Sequence, residues 1–252
     1  MNDKYVDIFY IATGVYNTYF ENFFGTIDRF LPGWVKRVHV ITDDEEWYTP
    51  YKNAKNNVRV DTHYQMDMPY PIIPLMKTAF IKRYVTEDMR YVFYMDADTV
   101  FLEKGPEYWS EFVYQLNNNQ ILVAHHPGDM HPEYKVDEKS VAFIPDGEFY
   151  FPIISSFYGG KRDEIVKMCY QMDKKIRHDL TTHAGGHQEH YIPPLFDQDY
   201  MTKTVYDSNG LSFLVRYFVC ITWLINENDI LSENVVQQKY DIKRKFETKN
   251  ME

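Results

Sequence analysis

The chain has 252 residues, with 37 acidic against 27 basic side chains and a formal net charge of −10. That balance argues against a nucleic-acid partner, because phosphate backbones are bound by a basic footprint. Two cysteines, Cys169 and Cys220, imply no disulfide framework and suit a reducing compartment, and the length suits one α/β domain spanning residues 1–252.

Taken in chain order, residues 5–12 read as an apolar strand that ends at Thr13-Gly14. The opening MNDKYVDIFYIATG lacks a positively charged lead into a long apolar run, so a first strand is expected and not a signal peptide or membrane anchor. A soluble, cytoplasmic protein with no membrane-spanning segment is expected. Residues 17–30 carry Phe20, Phe23, Phe24, Ile27 and Phe30 at helical spacing, and Pro32-Gly33 stops that helix. A second strand over residues 35–41 ends at Thr42-Asp43-Asp44. Prolines at 69, 71 and 74 break the chain before a helix over residues 75–84.

Residues 92–101 are the most informative. The run Val92-Phe93-Tyr94-Met95 leads directly into Asp96-Ala97-Asp98, and apolar residues resume at Val100. An apolar run of this kind reads as a buried parallel strand, and alternation places Asp96 and Asp98 on one side of it. Two hard oxygen ligands there suit Mn²⁺ or Mg²⁺, whose coordination is commonly completed by substrate phosphates. A metal–diphosphate site is expected.

Further strands are expected over residues 120–126 and 149–158, the latter ending at Gly159-Gly160, followed by a helix over residues 163–176. Gly159-Gly160 suits close backbone packing or sugar contact. Asp197 and Asp199 suit capping of a helix that starts near Tyr200. His183, His187, Glu189 and His190 invite a zinc reading, but Gly185-Gly186 weakens the helix that such spacing needs, favouring a loop. The stretch from about 240 to 252 is a basic, flexible tail or a phosphate-facing flap. Strands alternating with helices predict a mostly parallel sheet with ligands at its carboxyl ends.

Several of these segments together resemble glycosyltransferase family 6, the retaining α1,3-galactosyl- and N-acetylgalactosaminyltransferases that include the histo-blood-group A and B enzymes and bacterial relatives. IATGVYNTYFENFFGTIDRF (11–30) resembles the family's first strand, TGxY turn and helix. PLMKTAFIKRYVTEDMRYVFYMDADTVF (74–101) resembles the helix leading into its metal motif. AFIPDGEFYF (142–151) and SSFYGGKRDEIVKMC (155–169) resemble the segments that shape its donor and acceptor pockets.

The resemblance implies a GT-A fold and transfer of galactose or N-acetylgalactosamine from its UDP-sugar to a glycan acceptor. Thr13 and Tyr16 would meet the uridine, although the family often has a basic residue where this chain has Val15. Asp96 and Asp98 would serve ribose and metal, with Lys77 from the preceding helix on the donor side. Ile154, Ser155 and Ser156 fall where the family chooses between the two sugars, and two serines do not settle that choice. His125 and Tyr150 would face the acceptor, and Lys239, Lys243 and Arg244 would close over the diphosphate.

The main departure is at the family's WHDES motif. Leu195-Phe196-Asp197-Gln198-Asp199-Tyr200 is the preferred match, putting Gln198 where the family has its candidate nucleophilic glutamate; a second alignment puts Glu189 there. A glutamine holds a sugar by hydrogen bonds but is no carboxylate nucleophile. This favours front-side displacement, with Asp197 and Asp199 stabilising positive charge on the sugar. Two rivals remain: a haloacid-dehalogenase-like phosphohydrolase, from the DADTV motif, and an inactive sugar-nucleotide- or glycan-binding protein, from Gln198.

Overall fold

The computed structural model describes residues 4–118, 121–125, 136–145, 153–181, 183–184, 187–188, 192–193, 196–208, 212–215 and 219–221. Its strands are β1 (Tyr5–Ile11), β2 (Val35–Thr42), β3 (Val58–Tyr64), β4 (Tyr91–Asp96), β5 (Thr99–Phe101), β6 (Ile121–His125), β7 (Ile153–Lys161), β8 (His183–Ala184), β9 (His187–Gln188), β10 (Ser212–Val215) and β11 (Val219–Ile221). Its helices are α1 (Phe20–Thr26), α2 (Ile72–Tyr84), α3 (Pro106–Asn118), α4 (Arg162–Thr181) and α5 (Asp197–Asp207).

Among the described residues, the main sheet has the order β10-β6-β7-β4-β1-β2-β3. β1 pairs in parallel with β2 and β4, β2 with β3, and β10 with β6, whereas β7 runs antiparallel between β4 and β6. The architecture is α/β with a mostly parallel sheet flanked by helices, as in the GT-A fold. Both faces of the sheet are buried, which is why β1 and β4 read as nearly continuous apolar runs. On one face Tyr10, Phe93, Met95 and Phe157 pack with Phe20 and Phe23 of α1 and with Trp109 and Phe112 of α3. On the other, Phe9, Ile41, Val92, Tyr94 and Tyr158 pack with residues of α2, α4 and α5.

Four local expectations change. The helix expected over 17–30 is split into a 3₁₀ turn at Gly14–Tyr19, the short α1, and a second 3₁₀ turn at Ile27–Arg29. There the Thr26 hydroxyl donates back to the carbonyls of Asn22 and Phe23, a competitor of regular helix. α2 begins at Ile72, through Pro74, because proline is tolerated in a first turn that has no donor to lose. The strand expected to stop at Gly159 continues to Lys161. Gly159 lies against Phe93, where a Cβ would sit 2.0 Å from the ring, so this glycine serves close packing. Finally, β3 and α3 add to the expected elements; β3 is an edge strand with charged alternation, and α3 starts at Pro106.

Candidate active site

The carboxyl ends of β1, β2 and β4 open towards α2 and the start of α5. β4 ends at Asp96, and Ala97 and Asp98 form a turn before β5, so strand alternation does not reach Asp98. The two carboxylates are neighbours nonetheless. Burial, reinforced by the charge of Asp96, pushes the Asp98 carboxyl from 3.8 up to about 6.

Three groups fix the motif. The Tyr94 hydroxyl donates to Asp96 Oδ1 at 2.6 Å; Tyr94 precedes Asp96 by two residues and therefore shares its face of the strand. The Tyr10 hydroxyl, wholly buried, donates to the Ala97 carbonyl at 2.9 Å. Lys77, buried on α2, places Nζ 2.9 Å from Asp96 Oδ1 and 2.9 Å from Asp197 Oδ2, and 4.9 Å from the centre of the Tyr94 ring. Two flanking carboxylates hold Lys77 protonated despite its burial, its pKa lying above the usual lysine value. Burial pushes the Asp197 carboxyl up; Lys77 pulls it down and Asp96 adds to the rise.

Asp197 opens α5 instead of capping it, with Gln198 half-buried and Asp199 buried in the same first turn. Helix N-termini favour such acidic residues. Phe196, just before them, has φ +49°, a conformation that costs a non-glycine residue of order 1–3 kcal/mol. Two hydrogen bonds stitch α5 to β7: the Ser155 hydroxyl to Asp197, and the Ile153 amide to Thr202 Oγ1 at 3.2 Å. Ser155 therefore reaches the carboxylate cluster, while Ile154 and Ser156 are buried beside it in the strand.

At the end of β1, Thr13 is buried and Gly14 turns the chain at φ +56°. The Gly14 amide donates to Asp43 Oδ1 at 3.0 Å, and Asn17 Nδ2 donates to the same atom at 2.9 Å. Asn17 Oδ1 accepts from the hydroxyls of Thr42 at 2.8 Å and Tyr48 at 2.7 Å. This network holds Tyr16, 52% exposed, on the rim. Across the rim, the 70%-exposed Tyr70 meets Phe196 edge-on at 4.9 Å between ring centres, and Asp67 lies against Gly14.

The structure thus brings together Lys77, Asp96, Asp98, Ser155 and Asp197, with Gln198 and Asp199 in the adjoining turn and Thr13 and Tyr16 just beyond the end of the neighbouring strand β1. His125 ends β6, where the backbone alone is described. Tyr150, Glu189, Lys239, Lys243 and Arg244 lie outside the described residues, as does His190 of the histidine cluster. β8 and β9, which carry His183 and His187, pair as a two-residue ribbon, so those histidines do not share a helix. The sequence reading had missed Tyr10, Tyr94, Asp43, Asn17 and Tyr70. Of these, Tyr94 was readable from its i, i+2 spacing to Asp96.

The donor set fits a hard divalent cation. Asp96 and Asp98 offer carboxylate oxygens in a region where carboxylates outnumber cations. Among the described residues no group of three or more His, Cys, Asp or Glu is placed to hold a metal ion.

No known protein-family profile matches the chain. It is similar to an O-antigen biosynthesis glycosyltransferase, WbnI, of Escherichia coli: 25% identical over 127 residues, covering 49% of each chain. The chain thus aligns with about half the length of that relative. No helix among the described residues is long and apolar enough to cross a membrane.

Proposed function

We propose that the chain is a metal-dependent, retaining glycosyltransferase that moves galactose or N-acetylgalactosamine from its UDP-sugar to a glycan hydroxyl, forming an α1,3 linkage. One observation carries this: a single buried ammonium, Lys77, lies 2.9 Å from both the DxD motif on β4 and Asp197 at the start of α5. In this reading the metal-motif carboxylates and the sugar-facing groups share one crevice at the carboxyl end of a mostly parallel sheet, where such folds bind ligands. Similarity to a protein named as a glycosyltransferase supports sugar transfer as the reaction class.

In this reading Thr13 and Tyr16 receive the nucleoside, and Asp96 and Asp98 hold Mn²⁺ or Mg²⁺. The ion supplies neutralisation of the negative charge that grows on the diphosphate as the sugar leaves. Lys77 holds Asp96 and Asp197 in place, sparing reorganisation during the reaction. Asp197 is engaged by Lys77 and by Ser155, so it is poorly placed to attack the sugar and well placed to hold positive charge developing on it. Gln198 hydrogen-bonds the donor sugar. The acceptor oxygen then approaches the face the diphosphate leaves: the new C1–O bond forms as the C1–O–phosphate bond breaks, and the acceptor proton passes to a diphosphate oxygen.

The test is UDP release from a panel of UDP-sugars, with Mn²⁺ and with EDTA, in the presence and absence of a glycan mixture. Metal-dependent release that prefers UDP-galactose or UDP-N-acetylgalactosamine and rises with glycan supports the proposal. Phosphate release from simple phosphate esters, with no UDP release from any donor, sinks it.

A further inference from the structure

We propose that Tyr10 is a positioning residue for the metal motif: its buried hydroxyl, donating at 2.9 Å to the carbonyl of Ala97, sets the turn that aims Asp98 at the cation. The inference rests on the reading of Asp96 and Asp98 as the metal–diphosphate site. Ala97 is the residue between the two carboxylates, and its carbonyl belongs to the peptide that joins it to Asp98. Holding that oxygen limits rotation about the two dihedrals that swing the Asp98 side chain.

Asp96 is anchored through its own carboxylate, by Tyr94 and Lys77. The Asp98 carboxylate takes a hydrogen bond from its own backbone amide, and the turn leading to it is held at Ala97 by Tyr10. The phenol comes from β1, the strand hydrogen-bonded to β4, and cannot swing away. Phe20 and Phe23 of α1 close on its ring at 5.2 and 4.6 Å between centres. One strand therefore supplies both ends of the crevice: Thr13 at its tip, and the hydroxyl that shapes the metal turn from three residues earlier. A phenylalanine at position 10 fills the same space and pairs the same way, but leaves the Ala97 carbonyl without that donor in a buried setting.

The test compares Tyr10→Phe with Tyr91→Phe. Tyr91 begins the same strand β4 and donates to Asn117 Oδ1 at 2.6 Å, away from the crevice, so its variant controls for the general loss of a phenol hydroxyl. Mn²⁺ binding in the presence of UDP is followed by the electron paramagnetic resonance signal of free Mn²⁺, alongside urea unfolding of each variant. Tyr10→Phe is expected to weaken Mn²⁺ binding about tenfold, the equivalent of ~1.4 kcal/mol. Tyr91→Phe should bind as wild type does, and UDP binding without metal should be equal in all three proteins. If Tyr10→Phe is destabilised yet binds Mn²⁺ as wild type does, the hydroxyl is merely structural and the proposal falls. Wild-type protein that takes up no Mn²⁺ overturns the metal reading, and the Tyr10 assignment with it.

Discussion

Two buried polar clusters on the same sheet are built to opposite ends. Asp7, near the start of β1, is fully buried and has one oxygen facing Arg37 Nε at 2.6 Å and His39 Nε2 at 2.8 Å. His39 passes the contact on to His63 at 3.2 Å, and His63 stacks on Tyr84. One carboxylate there meets a guanidinium and an imidazole. At the carboxyl end of the same strands, Lys77 faces two carboxylates, and Asp98 adds a third. The first cluster is charge-satisfied and ties β1 to β2. Among the described residues the second is short of positive charge, and that deficit is what a divalent ion would fill.

Removing Lys77, the cation of the second cluster among the described residues, should have the largest effect. Lys77→Met leaves Asp197 buried and unpaired, so urea unfolding should show a loss of about 3–5 kcal/mol, with UDP release abolished. Asp98→Asn comes next: UDP release should fall by about two to three orders of magnitude, the usual cost of losing one electrostatic contributor to a transition state. The same variant carries a pH test. In the metal-free wild type the Asp98 carboxyl titrates near 6 when folded and near 3.8 when unfolded, so between these values the folded state holds the extra proton. Its contribution to stability therefore falls as pH rises from about 4 to 6, by about 2–3 kcal/mol, and then levels. The difference between wild-type and Asp98→Asn unfolding curves across that range isolates it; a constant difference counts against the burial of Asp98.

The satisfied cluster should respond in stability alone. Asp7→Asn should cost about 2–3 kcal/mol by weakening charge-assisted bonds, with UDP release by the folded fraction unchanged; a matching loss of turnover would erase the distinction between the two clusters. The smallest effect belongs to Lys36, fully buried in β2 with no hydrogen-bond partner for Nζ among the described residues. Burial pulls its pKa from 10.5 down to about 8. The unfolded chain thus binds the extra proton between pH 8 and 10.5, and wild-type stability should rise with pH through that window. Lys36→Met should flatten the rise and stabilise the protein near neutral pH by about 1–2 kcal/mol, as thermal unfolding would register.

Much of this was legible because local pattern and global need agreed. The apolar runs of β1, β2 and β4 are buried on both faces, and the DxD motif sits where such a run ends. Where tertiary contacts decide, local pattern gave less. The strand β7 passes through Gly159 because the ring of Phe93 occupies the missing side chain's place, a fact about β4 that residues 155–161 do not carry. The extended run before Asp98 suggested continued alternation, yet the chain turns at Ala97, where Tyr10 from 87 residues earlier supplies a donor. The family resemblance put Lys77 on the donor side, but its bridge between Asp96 and Asp197 appears only when α2 lies between β4 and α5. Among the candidate site residues, spacing along the chain brought out the carboxylates, whereas the groups that hold them in place come from distant strands and helices.

The most direct test of the charge deficit is calorimetric titration of UDP into the wild-type protein near neutral pH, with Mn²⁺ and then with EDTA. UDP should bind at least about a hundredfold more tightly with the metal, because Asp96 and Asp98 repel a bare diphosphate and hold a metal-bound one. Equal affinity under the two conditions would contradict the account.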